Sequence, residues 1–167
     1  DDGGTGIVSP WERSPVPAEH QIRGLGPIVL TVRELSRTAF VLTEVMNMRR
    51  VRDYAAHGAQ IHVFAMGEAG GEGGPAAELH VLEDKDAPIA RQGAGGVHHV
   101  AFRTPDETQY HGWTQRLNEL RVPNSGEVDR FYFRSLYFRE PAVILFVIAP
   151  DGPGFAADDP METLGER

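Results

Sequence analysis

The feature that most constrains the fold of this chain is an order of elements that occurs twice. In the first copy, a β-prone run at Pro27–Val32 is followed by a helical pattern of apolar residues at Ser36–Met48. Three strand-like runs come next, at Arg50–Ala55, Gln60–Ala65 and Ala77–Leu82. The first copy is therefore predicted to be a β-α-β-β-β module.

The same order returns after the glycine-rich stretch 93–96. His98–Arg103 is predicted as a strand, and Thr104-Pro105-Asp106-Glu107 as a helix start with a threonine cap and a capping box. Three further strands are predicted at Val128–Phe133, Leu136–Arg139 and Val143–Ala149. An offset of 72 positions superposes Gly24 on Gly96, which suits tandem modules better than a solenoid. We expect an α+β fold in which two tandem βαβββ modules form a curved, mostly antiparallel sheet around a cavity.

These boundaries predict four segments. Residues 1–23 are a linker or arm, 24–92 the first module, 93–150 the second module and 151–167 an irregular tail, because both ends are rich in glycine and proline without periodicity. The first residue is Asp1 rather than methionine, which suggests a processed product or a fragment.

Composition narrows the classes of function. The net charge of −8 without a basic stripe argues against nucleic acid as a partner. No apolar run approaches the length of a membrane span, so we expect no membrane partner. The chain has no cysteine, which excludes disulfides, thiolate metal sites and a cysteine nucleophile, and fits a reducing cytoplasm.

Alternation along the strands of the second copy predicts two different faces. One set is apolar and suited to packing under the helix, namely Phe131, Phe133, Leu136, Phe138, Phe146 and Ile148. The other set is polar and contains Arg130, Tyr132, Ser135, Tyr137 and Arg139. A polar face turned away from the helix indicates a lined cavity, and the alternative is a face that is simply solvated.

Two adjacent histidines, His98 and His99, lie in the apolar run that opens the second copy. Successive side chains of a strand point to opposite faces, so the two imidazoles cannot perform the same task. One on an open face is a candidate metal ligand, and its neighbour a group that contacts substrate. The alternative is one hydrogen-bonded core histidine and one solvated histidine.

Three separated motifs carry a resemblance to a known family. They are Gly96-Val97-His98-His99-Val100-Ala101-Phe102-Arg103, Ser135-Leu136-Tyr137-Phe138-Arg139-Glu140-Pro141 and Asp151-Gly152-Pro153-Gly154-Phe155. Together they resemble the vicinal oxygen chelate superfamily of glyoxalases, bleomycin-resistance proteins and extradiol dioxygenases. Within it, the chain is similar to the C-terminal half of ring-cleaving dioxygenases that act on hydroquinone-type and catechol-type rings.

This resemblance implies a metal centre and a set of site residues. In the family, two histidines and a glutamate bind iron(II) or manganese(II) and leave positions open for substrate and dioxygen. His99 matches the metal ligand of the first strand, and His98 matches a companion that contacts substrate or assists proton transfer. Arg130 and Tyr137 match cavity residues that hold or polarise the substrate oxygens.

The chain departs from the family pattern at the other ligand positions. Val147 stands where the family has the ligand glutamate, and Ala142-Val143 stand where an Asn-Gly turn is expected. In the first copy, Pro27 aligns with His99, and His80 aligns with Val147. The family's third ligand comes from an N-terminal half that we expect to be missing.

His80 and His62 each lie in an apolar strand of the first copy. A hydrogen-bonded core or edge histidine is the commoner outcome at such positions, and a metal ligand is the alternative. His20, His57 and His111 lie in loop or helical surroundings, where a metal role is less expected.

Two main hypotheses follow. In the first, the chain is part of a metal-dependent extradiol dioxygenase for hydroquinone- or catechol-type aromatics, incomplete by itself. In the second, it is a metal-free module that sequesters an aromatic molecule through the face of Arg130, Tyr132 and Tyr137. A glyoxalase-like lyase or isomerase is a weaker third reading. In each case we expect a small aromatic or similar ligand and a homodimer, or association with a missing N-terminal domain.

Overall fold

The computed structural model describes residues 10–22, 24–56, 58–67 and 74–164. The chain divides into two compact units, Asp1–Ala87 and Pro88–Arg167. None of the helices in the described ranges is long and apolar enough to cross a membrane. Before the first strand the backbone is irregular apart from a short 3-10 turn at Ala18–His20.

The first unit contains four strands and one helical segment. The strands are β1 (Ile28–Val32), β2 (Arg49–Ala56), β3 (Ala59–Ala65) and β4 (Glu78–Glu83), joined in the order β1-β4-β3-β2. β1 runs parallel to β4, and the other two pairs are antiparallel. Between β1 and β2, helix α1 (Leu35–Phe40) continues directly into a π-helical stretch at Val41–Val45.

The second unit repeats this arrangement. Its strands are β5 (Val100–Thr104), β6 (Asn124–Asp129), β7 (Arg134–Arg139) and β8 (Leu145–Pro150), in the order β5-β8-β7-β6, with helix α2 (Glu107–Glu119) after β5. β5 is again parallel to β8, and the remaining pairs are antiparallel. The predicted α+β fold of two βαβββ modules is therefore confirmed.

One face of each sheet packs against its helix and forms the core of the unit. In the second unit, Tyr110 and Leu117 lie two turns apart on α2 and are fully buried. The strand residues on this side are also buried, namely Val100, Phe102, Leu136, Phe138, Phe146 and Ile148. In the first unit, Leu42 and Val45 of the helical segment are buried, as are Leu30, Val32, Phe64, Leu79 and Val81.

The helix cap of the second unit differs from the prediction. Asp106 caps α2, because its Oδ1 accepts a hydrogen bond of 2.7 Å from the backbone N–H of Gln109. Thr104 is buried and ends β5 instead. The prediction of a threonine cap is wrong because parallel pairing with β8 continues to the pair Thr104–Pro150, which keeps Thr104 in the strand.

Two strand boundaries also differ. β6 occupies Asn124–Asp129 rather than 128–133, so Phe131 and Phe133 lie beyond it and are exposed by 62% and 43%. The strand ends because Asp129 Oδ1 accepts a hydrogen bond from the Phe131 N–H, and Phe131 adopts a φ of 70°. The prediction that these two phenylalanines pack under the helix is wrong. β5 begins at Val100, so His98 and His99 precede the strand rather than lie in it.

Candidate functional site

The face of the second sheet opposite α2 carries the residues predicted to line a site. Tyr137 of β7 pairs with Val147 of β8, and Val147 pairs with Ala101 of β5, so these three side chains form one row across the sheet. The neighbouring positions Leu136 and Phe146 are buried on the helix side. We call this the open face of the second sheet.

Arg130 and Tyr137 are brought together on this face. The guanidinium carbon of Arg130 lies 5.6 Å from the centre of the Tyr137 ring, within the range of a cation–π contact. Arg130 follows β6, where its backbone N–H donates to the carbonyl of Phe133 and closes the turn between β6 and β7. Among the described residues, neither the guanidinium nor the Tyr137 hydroxyl has a hydrogen-bond partner. Both groups therefore keep donors available for a ligand.

Ser135 lies on the same strand and face as Tyr137, two residues earlier. Its side chain is fully buried, and its hydroxyl has no hydrogen-bond partner within the described part of the chain. The polar face predicted from alternation thus includes Ser135 as well as Tyr137, but Ser135 is covered while Tyr137 is half-exposed.

His98 and His99 form a second pair, just before β5. Their Nδ1 atoms are 2.9 Å apart and their rings meet edge to face. Gln92 holds this segment by donating from Nε2 to the carbonyl of His98. Because only one of the two Nδ1 atoms can donate in this contact, the two rings must adopt opposite tautomers at Nδ1. If His99 is the donor, its Nε2 lone pair is free to bind a metal.

The described residues do not complete a metal centre. No group of three or more histidine, aspartate or glutamate side chains is placed to hold a metal ion in the ranges that the structure describes. At the predicted position of the ligand glutamate, Val147 is 2% exposed and packed beside Tyr137. The carboxylates nearest in sequence are engaged elsewhere: Asp151 accepts from Arg103, and buried Glu140 accepts a hydrogen bond from the backbone N–H of Ile144. We therefore assign no reaction step to a metal.

The other histidines of the sequence analysis lie in different places. His62 contacts Asp53 and Arg50 through Nδ1, at 3.0 and 2.6 Å. His80 lies between Tyr54 and Glu78, with contacts of 3.0 Å on both ring nitrogens. Both are thus hydrogen-bonded within the first sheet. His57 lies outside the described residues.

His111 is on the surface of α2, and His20 ends the short turn near the N-terminus. His111 Nδ1 is 2.7 Å from Glu127 of β6. This contact lowers the pKa of the Glu127 carboxyl below its ordinary value. The pair joins the helix to the sheet and has no link to the open face.

Sequence reasoning missed the polar partners of His80. Arg52 and Tyr54 are two residues apart on β2, and Glu78 and His80 are two residues apart on β4. This i, i+2 spacing predicts that the two members of each pair lie on one face of their strand. It does not predict that β3 brings the two strands into the register that joins the pairs.

Comparison with known proteins identifies relatives of this chain. Residues 24–148 match the family described as the Glyoxalase/Bleomycin resistance protein/Dioxygenase superfamily. The chain is 42% identical over 166 residues to the protein named "Putative ring-cleaving dioxygenase MhqA" of Bacillus subtilis (strain 168), covering 99% of this chain and 52% of that protein. It is 29% identical to the chlorohydroquinone/hydroquinone 1,2-dioxygenase of Sphingobium indicum, covering 97% of this chain and 49% of the relative.

A solved structure gives the same picture for the fold. The crystal structure described as a "putative dioxygenase" from Bacillus subtilis subsp. subtilis str. 168 superposes with a TM-score of 0.78 at 30% identity. The superposition covers 97% of this chain and 49% of that structure. The chain therefore spans about half the length of the relatives that it matches.

Proposed function

Because the chain belongs to the Glyoxalase/Bleomycin resistance protein/Dioxygenase superfamily, we propose that it is one half of a ring-cleaving dioxygenase for hydroquinone- or catechol-type aromatics. The proposal draws on relatives named as ring-cleaving dioxygenases, among them one named for hydroquinone and chlorohydroquinone. We propose the C-terminal half, because the sequence motifs resemble those of that half.

The observation that carries this proposal is the contact between Arg130 and Tyr137 on the open face. A guanidinium attracts the negative charge of a phenolate and can donate hydrogen bonds from two of its nitrogens to the phenolate oxygen. The Tyr137 hydroxyl can donate a further hydrogen bond to the same ligand. In this proposal the two residues bind the ring oxygens of the aromatic and orient the ring before cleavage.

His98 and His99 complete the proposed site. His99 is the proposed ligand of iron(II) or manganese(II), and His98 contacts the substrate. Such a centre requires further ligands that the described residues do not supply, so this chain alone is not expected to open the ring. We also propose that it associates with a second pair of modules, supplied either by a second copy in a homodimer or by an N-terminal domain.

A second candidate function is metal-free binding of an aromatic molecule. It is favoured by Val147, which puts a buried apolar side chain where the family has a charged ligand. In that case Arg130 and Tyr137 hold the ligand in the same way, but no ring opening follows.

The two candidates are separated by metal analysis and ligand titration of the purified 167-residue chain. Stoichiometric iron or manganese supports the dioxygenase, whereas hydroquinone binding by metal-free protein under anaerobic conditions supports the binding module. Calorimetry should show that Arg130→Gln and Tyr137→Phe each weaken hydroquinone binding by about tenfold or more.

Arg103→Gln provides a matched control for this titration. Arg103 alternates with Ala101 onto the same face, but its guanidinium is already paired with Asp151. This variant should bind hydroquinone like the original chain. Absence of hydroquinone binding, or equal binding by the Arg130 and Tyr137 variants, would overturn the assignment of this site. Light scattering tests the proposed association, since a monomer at high concentration contradicts a homodimer.

A further inference from the structure

Four polar side chains form a connected chain of hydrogen bonds on the first sheet. Arg52 and Tyr54 come from β2, and Glu78 and His80 come from β4. Arg52 pairs with Val63, which pairs with His80, so these side chains lie in one row. The opposite face packs against the helical segment, where Glu83 Oε1 accepts a hydrogen bond from the N–H of Leu35. We call the four residues the first-sheet relay.

The charges of the first-sheet relay are fixed at one end by Arg52. Its two terminal nitrogens donate to the two carboxylate oxygens of Glu78 at 2.6 and 2.7 Å. This bidentate contact, helped by His80, lowers the pKa of Glu78 below its ordinary value. Glu78 is therefore an anion at neutral pH, although its side chain is only 13% exposed.

The anion in turn fixes the tautomer of His80. Glu78 Oε2 lies 3.0 Å from His80 Nε2 and can only accept, so Nε2 carries the hydrogen. His80 Nδ1 is then an acceptor, and the Tyr54 hydroxyl donates to it across 3.0 Å. The imidazole is 7% exposed, so this contact is shielded from competing water.

This arrangement leaves no room for a metal ion among the four residues. Both ring nitrogens of His80 are engaged, and both oxygens of Glu78 are engaged by Arg52. A guanidinium thus supplies the positive charge beside the carboxylate. His80, at the position that aligns with Val147, therefore contacts the Tyr54 hydroxyl and the Glu78 carboxylate instead of a metal ion.

We propose that Tyr54, His80 and Glu78 form a metal-free proton relay that binds the hydroxyl of a phenol-type ligand and takes up its proton. The Tyr54 oxygen donates its hydrogen to His80 and retains lone pairs, with which it accepts the ligand hydroxyl. Tyr54 is half-buried, so part of the residue is accessible to solvent.

The proton transfer balances within the relay. The ligand O–H bond breaks, its proton passes to the Tyr54 oxygen, and the Tyr54 proton passes to His80 Nδ1. The products are a ligand phenolate, hydrogen-bonded to a neutral Tyr54, and an imidazolium held against the Glu78 carboxylate. No oxidant or other reactant is consumed.

The surroundings of the relay suit an aromatic ring. Val29 of β1, which pairs with His80, is 48% exposed and Leu82 is half-buried on the same face, above the buried Ile61 and Val63. None of these four neighbours is charged, and Arg49 of β2, which pairs with Ala65 opposite Glu78, lies on the same face as a further cation. An apolar surface beside a proton acceptor binds a neutral phenol better than a charged or aliphatic ligand.

The relay lies in the first unit and does not depend on the Arg130–Tyr137 site, so the test is made in the Arg130→Gln background. The probe is 4-nitrophenol, whose phenolate absorbs visible light, titrated between pH 5 and 9 with the 167-residue chain. We expect the bound probe to ionise at a pH about one unit lower than the free probe. In the acidic range this corresponds to a phenolate fraction about tenfold higher for the bound probe than for the free probe.

Variants assign the shift to named groups. Tyr54→Phe and His80→Gln should each abolish it, because phenylalanine cannot accept the hydroxyl and glutamine cannot take up the proton. His62→Gln is the matched control, since His62 is hydrogen-bonded on the opposite face of the same sheet, and it should keep the shift. Absence of a shift, or the same shift in Tyr54→Phe and His80→Gln, overturns the proposal.

A second measurement covers the case in which these variants unfold. The nitrogen-15 spectrum of the unmodified chain should show His80 with hydrogen on Nε2 only, and Glu78→Gln should weaken this preference. A His80 ring with hydrogen on Nδ1 overturns the relay, because Tyr54 would then have no acceptor.

Discussion

His80 and Val147 occupy the same position in the two sheets of this protein. Each is the third residue of the last strand of its module and pairs with the second residue of the first strand, Val29 for His80 and Ala101 for Val147. Both are buried, at 6% and 2% exposure. The first unit joins His80 to Tyr54 and Glu78 by hydrogen bonds, whereas the second unit places Ala101 and Tyr137 beside Val147.

This difference predicts the effect of Val147→Glu. A carboxylate at this buried site loses its hydration, so the substitution should cost about 3 kcal/mol or more of unfolding free energy at pH 8. Burial raises the pKa of such a group in the folded state, so the loss should shrink as the pH falls through that raised value. Urea unfolding at pH 5 and pH 8 measures both effects.

Val147→Gln is the control for the charge, because glutamine has nearly the same shape and does not ionise. It should be destabilising by a similar amount at both pH values. Equal stability of the glutamate and glutamine variants at pH 8 would contradict the inferred burial.

Ser135→Ala is expected to leave stability unchanged or to raise it by up to about 1 kcal/mol. The Ser135 hydroxyl is buried without a partner in the described structure, and removal of an unsatisfied polar group relieves its desolvation cost. Thermal unfolding of Ser135→Ala beside Ser135→Val tests this, since valine adds bulk at a fully buried position and should destabilise. A loss above about 1 kcal/mol in the alanine variant would show that the hydroxyl has a partner, such as an ordered water.

Asp106→Ala should destabilise the second unit by about 1 kcal/mol. The substitution removes the acceptor for the Gln109 N–H at the start of α2. Asp106→Asn retains a capping oxygen and should lose only a small part of this. Chemical denaturation of the two variants measures this difference. The prediction fails if the alanine and asparagine variants are equally stable.

Val143→Asn should stabilise the chain by about 0.5–1 kcal/mol. Val143 adopts a φ of 71°, a conformation that is unfavourable for a β-branched residue and tolerated by asparagine. Its backbone N–H donates to Glu140 in the turn between β7 and β8, and this hydrogen bond is kept in the variant. Val143→Ile retains the strain and serves as the control. An asparagine variant that melts below the isoleucine variant would refute the strain argument.

Acid should weaken the first sheet through Glu78. The pKa of Glu78 is lowered in the folded protein, chiefly by the hydrogen bonds from Arg52, so its contribution is complete above the unfolded-state value of 4.5 and is lost as the pH falls below it. Since Arg52 is half-exposed and the ion pair is screened by water, we expect it to contribute about 1 kcal/mol to the free energy of unfolding. Urea unfolding between pH 3 and pH 6 should show a flatter dependence for Glu78→Gln than for the exposed control Glu162→Gln.

Repetition of elements was the part of the fold that the sequence predicted well. Apolar periodicity of 2 and 3.6 residues located both helices and seven of the eight described strands within a few residues, because those periods follow from the buried faces; β6 was placed four residues too late. Boundaries set by single hydrogen bonds were missed. Asp129 capping Phe131 ends β6 early, and pairing of Thr104 with Pro150 moves the helix start to Asp106.

The candidate site was predicted only in part for a similar reason. Alternation along one strand placed Tyr137 on the open face, and the contact with Arg130 is present. His98 and His99 contact each other outside the strand, and no hydrogen bond, ion pair or ring contact between described residues joins them to Arg130. The first-sheet relay was missed because it joins two strands through the register with β3, which a single sequence does not specify.

The π-helical stretch at Val41–Val45 has a consequence for how the first helix tolerates change in length. A wide turn accommodates one more residue than an α-helical turn, while Leu42, Val45 and Met46 all remain buried. Loss of one residue there would convert the wide turn into an α-helical turn, so Met46 and Met48 should stay in the core. The wide turn therefore holds one residue more than an α-helical turn without changing which side chains of this segment are buried.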